Sequence, residues 1–321
     1  MKPQRVVLIG GTGFIGRSVA NRLSREGVGL VIATRRRSRA AEVLLLPTAE
    51  VIEADVHDPA TLRDLTRGAD AVVNLVGVLH SRPGTPYGPD FARAHVELPA
   101  KIAAACAANG VGRLVHVSAL GADANGPSEY QRSKAAGEDV IRAAAPGVAW
   151  TILRPSVVFG RDDSFLNLFA RLARLFPVLP LAGAQARFQP VHVEDVAEVV
   201  WRSLITPDAI GQTWPLAGPS VYTLRQLVEY VSELAGKPRP IIALPEGLAM
   251  LQARLMELAP QPLMSRDNVR SMQVDNVTAG PPLPMGLTPT TLEAVAPGYI
   301  ANATLRARYY TMRGRSHRGR G

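Results

Sequence analysis

Arg5-Val6-Val7-Leu8-Ile9-Gly10-Gly11-Thr12-Gly13-Phe14-Ile15-Gly16 is the stretch that decides the fold. Arg5–Ile9 reads as a short buried strand, a glycine-rich loop follows it directly, and Phe14–Arg25 then reads as a helix. Each glycine has a distinct physical task. Gly10 permits the tight turn, Gly13 lets backbone N–H groups approach a pyrophosphate, and Gly16 lets the helix pack against the sheet. The helix start aims its unsatisfied donors at the same place. Strand, loop and helix in this order point to a dinucleotide site built on Gly10, Thr12, Gly13, Phe14, Ile15 and Gly16.

Working outward, apolar runs at Leu30–Thr34, Val51–Ala54, Ala71–Val76, Arg113–Ser118 and Ala149–Leu153 alternate with helical stretches at Pro59–Thr66, Phe91–Ala108 and Arg132–Ala144. That alternation predicts an α/β fold: a Rossmann doubly wound parallel sheet over residues 1–160, its sheet completed by later segments. After Pro155 the rhythm changes. Proline-rich patches at Phe176–Pro180 and Pro281–Pro289 separate isolated helices at Val193–Ile205, Thr223–Ala235 and Leu248–Leu258, which predicts a smaller C-terminal α/β lobe over 161–304. Leu248, Met250, Leu251, Leu255, Met256 and Leu258 form a stripe on the last of these helices. Such stripes usually face a core, the alternative being a membrane surface or a partner.

With 47% hydrophobic and 20% charged residues in 321, the chain has ample material for a core. The net charge of +9 is concentrated at one end: Leu305–Gly321 holds six arginines and no acid, leaving +3 on the body. This excludes a globule with a specific nucleic-acid-binding face. It predicts a basic, polar tail over 305–321, suited to an anionic membrane surface or acidic partner. The single cysteine, Cys106, excludes an intramolecular disulfide and a multi-cysteine metal site, and no metal is expected. Its alanine-rich setting, Lys101–Ala108, predicts a buried hydrophobe rather than a reactive thiol. The sequence shows neither a signal-peptide core nor an apolar run of roughly 18 residues. The expected location is the cytoplasm, at most peripheral to a membrane.

Nineteen residues beyond Gly16, where an NAD-preferring domain often carries an acid for the ribose 2′-hydroxyl, the chain has Arg35-Arg36-Arg37. A guanidinium suits a 2′-phosphate, and no neighbouring carboxylate in the sequence repels one, so NADP(H) is expected over NAD(H), with Arg35 and Arg36 as ligands. Asp55 and Val56 follow the third strand and suit the adenine. Leu75 and Gly77 follow the fourth, where glycine allows close backbone approach. Tyr130 and Lys134 fall at i and i+4 on one helix face. A lysine ammonium beside the phenol is expected to lower its pKa from about 10 and make it a proton-transfer group.

The glycine loop, the basic end of strand two, Val115-His116-Val117-Ser118, Tyr130–Lys134, Arg154–Gly160 and Gln189–Ala197 together resemble the extended and atypical short-chain dehydrogenase/reductase superfamily, the NAD-dependent epimerase/dehydratase-like proteins. Within it, Tyr-x-x-x-Lys-Ala-x-Gly-Glu at 130–138, Phe159–Asn167 and Ser265-Arg266-Asp267-Asn268-Val269 are similar to the NADPH-binding accessory subunits of respiratory complex I and their bacterial relatives. The resemblance spans Arg5 to Ala303. It implies cofactor contacts from Ser118, Tyr130, Lys134, Pro155 and Val158, with Tyr130, Lys134 and Ser118 as catalytic groups. It also implies a respiratory-complex partner reached through the C-terminal lobe.

The chain departs from the superfamily at two places. The usual hydroxyl one or two residues beyond Ser118 is replaced by Ala119 and Leu120, and His95 stands where many members have asparagine. His95 is read here as a satisfied core histidine, and Ser118 either substitutes for the missing hydroxyl or only touches the cofactor. The expected function is an NADP(H)-binding accessory-subunit-like protein with a structural or weakly active cofactor. The alternatives are an NADPH-dependent oxidoreductase on a quinone-like or other carbonyl substrate, and a sensor of the NADP(H) ratio.

Overall fold

The computed structural model describes residues 2–144, 147–259 and 262–301. The basic tail, 305–321, lies outside the described residues. Seven parallel strands form the central sheet: β1 (Arg5–Ile9), β2 (Gly29–Thr34), β3 (Ala49–Glu53), β4 (Ala71–Asn74), β5 (Arg113–Val117), β6 (Trp150–Pro155) and β11 (Gln212–Leu216). Their spatial order is β11-β6-β5-β4-β1-β2-β3. The chain runs from β1 outward to β3, then returns to β4 on the other side of β1, so the order reverses between β1 and β4. Ligands of open α/β sheets bind at the carboxyl ends of strands at such a reversal. The glycine loop sits there, with Gly10 packed against the backbone of Leu75 and Val76 that leaves β4.

Alternation along β1 sends Val6 and Leu8 to one core, Val7 and Ile9 to the other. The first core is closed by α1 (Phe14–Arg25), through Val19 and Leu23, and by α7 (Val193–Ile205), through Val196 and Val200. The second is closed by α2 (Pro59–Thr66), α4 (Leu98–Asn109) and α5 (Glu129–Ala143), through Leu62, Ile102 and Ile141. Cys106 is fully buried in this second core, which pushes its thiol up to about 12. Two elements beyond residue 160, α7 and β11, thus belong to the sheet layers. Arg22 joins α1 to α7, bonding Glu198 at 2.6 Å and lying over the Trp201 ring at 5.5 Å.

One turn, α3 (Pro89–Phe91), runs through a π-helical stretch at Ala92–Glu97 into α4. The remaining chain builds the lobe from α6 (Phe165–Leu175), α8 (Leu224–Leu234), α9 (Glu246–Met256), α10 (Arg266–Ser271) and α11 (Leu292–Ile300), with paired two- and three-residue strands between them. These are β7 (Val158–Phe159) with β10 (Val191–His192), β8 (Leu179–Leu181) with β13 (Ile241–Ala243), and β9 (Arg187–Phe188) with β12 (Tyr222–Thr223). Its own core packs Leu166, Ala170, Leu227, Val231 and Ile300. No helix among the described residues is long and apolar enough to cross a membrane.

The stripe on α9 does not face this core. Only Ala249 and Ala253 of α9 are buried, against Ala182 and Val269, while Leu248, Leu251, Leu255 and Leu258 are 54%, 53%, 61% and 82% exposed. The periodicity was that of a helix with an apolar face. The small residues pack inward, and the leucines face out.

Candidate functional site

At the loop, Gly10 adopts φ +88°, a left-handed conformation that glycine takes without strain, and the Gly13 N–H donates to Gly10 O at 3.1 Å. A β-carbon on Gly16 would overlap Gly10 O and lie 2.7 Å from the Gly11 backbone, whereas one on Gly13 would meet Gly10 O at 3.3 Å. Gly11, on which the sequence reading placed nothing, is tight as well: its β-carbon would lie 2.9 Å from Ile32 and Leu8. Close packing thus rests chiefly on Gly16. Helix α1 starts at Gly13 with no side-chain cap and no acid in its first turn, so its first donors and its positive end stay uncompensated.

Beyond β2, Arg35 and Arg36 are exposed, and neither guanidinium forms a salt bridge with a described acid. The absence of a nearby carboxylate, inferred from the sequence, is corrected here. Register pairs Thr34 with Glu53 of β3, and the Glu53 carboxylate accepts the Arg37 N–H at 3.0 Å. Asp55 is exposed and uses Oδ1 to accept the His57 N–H at 2.9 Å. Leu75 and Val56 are half-buried, and so is Val158 in β7, while Pro155 closes β6.

At the other end of the cleft, α5 carries Tyr130 in its first turn and Lys134 one turn later. Gly77 makes room for both the lysine and His95: a β-carbon there would lie 3.3 Å from Lys134 Nζ and 3.7 Å from His95 Nε2. The expected electrostatic relation is not observed. Lys134 Nζ lies 6.0 Å from the centre of the Tyr130 ring and donates to Val117 O at 3.4 Å. Burial pushes the phenol up to about 12 and the ammonium down to about 8, the carboxylate of Glu138 opposing the latter. Desolvation, which penalises either charged form, outweighs the lysine's pull on the phenol.

The Ser118 side chain is engaged within the protein. Its hydroxyl donates to the buried Glu138 carboxylate at 2.6 Å, the same carboxylate that receives Arg154 at 2.7 and 2.6 Å and Arg142 at 2.6 Å. The hydroxyl hydrogen of Ser118 is thus directed at Glu138. Ala119 and Leu120 supply no substitute.

His95 sits in the π-helical stretch, 1% exposed, with both ring nitrogens satisfied. Nε2 accepts the Val78 N–H at 3.0 Å, so Nδ1 carries the proton and donates to Ser133 Oγ at 2.9 Å, which donates on to Tyr130 O at 2.8 Å. Burial, reinforced by Lys134, drives its pKa to about 2, so the ring is neutral throughout the physiological range. Its ring stacks on Phe91 at 5.4 Å and meets Tyr130 edge-on at 5.5 Å. Gly137 permits this packing, because a β-carbon there would overlap His95 O.

Two contributors escaped the sequence reading. Glu138 lay inside the quoted motif at i+4 from Lys134, a spacing that places it on the same helix face. Asp267, from α10 in the other lobe, accepts the Glu129 N–H at 2.7 Å and the Tyr130 N–H at 3.0 Å. Together with Ser128, which accepts the Gln131 N–H at 3.1 Å, it closes the start of the tyrosine helix.

The NAD dependent epimerase/dehydratase family profile matches residues 6–217. The chain is 35% identical over 297 residues to NADH dehydrogenase (ubiquinone) 1 alpha subcomplex subunit 9, mitochondrial, of Rattus norvegicus, covering 89% of this chain and 77% of that protein. It is also 34% identical over 199 residues to a ceramide reductase of Caulobacter vibrioides, covering 60% of this chain and 58% of that one. Among solved structures, UDP-glucose 4-epimerase of Thermus thermophilus in complex with NAD matches at TM-score 0.60 and 20% identity, covering 84% of this chain and 99% of that one.

Proposed function

The chain belongs to the NAD dependent epimerase/dehydratase family, and from that premise we propose that it binds NADP(H) and holds it with little turnover, as a cofactor-bearing accessory subunit of a respiratory complex. The residues at the cleft fit such a group. The uncapped start of α1 and its glycine loop suit a pyrophosphate, and Arg35 and Arg36 suit a 2′-phosphate, the Glu53 carboxylate being engaged by the Arg37 backbone N–H. Asp55 and Val56 suit the adenine. Leu75, Gly77, Pro155 and Val158 would line the nicotinamide half, with Lys134 on its ribose. The bound nicotinamide would supply a hydride. A respiratory-complex partner is supported by the subunit names that several relatives carry.

The observation that carries the low-turnover reading is the commitment of Ser118 to Glu138. With it, none of Ser118, Ala119 and Leu120 offers a free hydroxyl donor, and burial holds the Tyr130 phenol up to about 12. A second reading, a reductase, is favoured by the retention of Tyr130 and Lys134 on one face of α5, the lysine remaining cationic at pH 7. Single-turnover oxidation of NADPH against a panel of quinones and simple carbonyls separates them. We expect stoichiometric binding and no rapid oxidation, in wild type and Tyr130→Phe alike. Rapid oxidation that disappears in Tyr130→Phe overturns this reading and establishes the reductase.

A further inference from the structure

Where α10 meets the start of α5, the seam between lobe and sheet domain holds a cavity of about 380 Å³. Its size falls within the roughly 300–1,000 Å³ of small-molecule sites. The loop residues Pro83, Gly84 and Thr85, with Phe91 and Glu129, form one wall. Glu257 and the α10 residues Arg266, Asp267 and Arg270 form the other. Among the described residues, no member of the glycine loop lines it, and neither Ser118, Tyr130 nor Lys134 does. The cavity is thus distinct from the groups assigned to cofactor and chemistry.

Most of the charge on these walls is already matched. Glu257 accepts the Arg266 N–H at 2.7 Å and the Arg266 Nε–H at 2.9 Å, so these two side chains satisfy each other. Both Asp267 oxygens hold N–H groups at the start of α5. Glu129 anchors the loop, its Oε2 accepting the Gly88 N–H at 2.8 Å and the Gly84 N–H at 3.1 Å. Two charged ends remain, one on each wall. Glu129 is 7% exposed, and its Oε1 takes no hydrogen bond from a described residue. Arg270 is half-buried, and its guanidinium bonds to no described acceptor.

A buried carboxylate oxygen and a guanidinium without partners have given up water without recovering its hydrogen bonds. A ligand bearing the opposite pair of charges restores both sets, whereas a ligand with a single charge is held by one group and repelled by the other. We propose that the cavity is a binding site for a small zwitterion, an α-amino acid with an apolar side chain. Its carboxylate meets the Arg270 fork, and its ammonium meets Glu129 Oε1. Its side chain lies against Pro83 and Phe91. The ligand therefore bridges the two walls of the seam, and its binding does not depend on the nucleotide.

The test is calorimetric titration of the full chain with L-phenylalanine and L-leucine. Phenylacetate and phenethylamine, which each keep one of the two charges, are titrated beside them. At least one amino acid is expected to bind with Kd of about 1 mM or below, and each single-charge analogue at least about tenfold more weakly. Arg270→Gln, at a side chain with no described partner, should lower the amino acid affinity by about tenfold or more. NADPH titrated into the wild type reports the cofactor site separately, so the failure of either assignment is read apart from the other. No binding of either amino acid at about 10 mM overturns the inference. Binding that Arg270→Gln leaves intact, or that all four probes share equally, overturns it as well.

Discussion

Two helices start at the carboxyl edge of the sheet, and they begin in opposite ways. α1 has glycine as its cap, no acid in its first turn and no side chain on its leading N–H groups. α5 has its leading donors filled, by Asp267 on Glu129 and Tyr130 and by Ser128 on Gln131, with Gln131 reaching back to the Ser128 N–H at 3.2 Å. An open helix start attracts an anion, and a filled one serves stability. The difference extends to the side chains around each. Arg35 and Arg36 beside α1 reach solvent without acidic partners. Ser118, His95 and Lys134 beside α5 all bond to other parts of the protein. The nucleotide end is built to receive a ligand, and the chemical end is built to hold itself together.

The sharpest way to break this contrast is at the glycines. Gly16→Ala forces a β-carbon into backbone that has no room to yield, so we expect NADPH affinity to fall by more than about a hundredfold; Gly13→Ala, with a contact of 3.3 Å, should be much milder. Calorimetric titration of both variants checks this, and equal losses would show that the loop, not the helix contact, is limiting.

At the filled end, Glu138→Ala leaves Arg154 without its carboxylate and Arg142 with Asp139 alone. Unfolding free energy should drop by about 2–4 kcal/mol in denaturant titration, less than for a fully buried pair because both guanidiniums reach solvent. Arg35→Ala should cost about 1.5–3 kcal/mol in NADPH affinity and leave NADH affinity unchanged. A loss shared equally by both cofactors would remove the 2′-phosphate assignment.

The smallest effect near neutral pH is electrostatic. His95 and His116 are held down to about 2 and about 3, chiefly by burial. Their folded values lie below the unfolded value, so the stability they support is present above pH 6.5 and declines as the pH falls toward the folded values. Each should contribute a slope of up to ~1.4 kcal/mol per pH unit below about 6.5, and His95→Gln should remove one such slope from the stability–pH curve.

The open end was legible in the sequence because its elements are contiguous. Strand, loop and helix occupy Arg5–Arg25, and the arginines follow at the end of the next strand, so local order alone carried the geometry. Glu53 was missed because strand register, not sequence distance, brings it to Arg37. The filled end was legible only in its residue types. Tyr130 and Lys134 could be read from spacing, but their pKa shifts come from burial, which spacing does not report. Asp267 lies 137 residues from Tyr130 and meets it only through lobe packing. On α9 the apolar period was real, yet a period does not say which face meets solvent. That was decided by the close approach of Ala249 and Ala253 to Ala182.

The two bonds from Asp267 make the lobe and the tyrosine helix a single thermodynamic unit. Any widening of the cleft that withdraws α10 also strips donors at the start of α5, adding roughly the 0.5–2 kcal/mol of a lost helix cap to the work of opening. By reciprocity, a molecule that wedges the lobes apart loosens the turn carrying Tyr130, and one that draws them together stiffens it. Order in that single turn is therefore a gauge of the whole cleft, readable as hydrogen exchange at the Glu129 and Tyr130 amides.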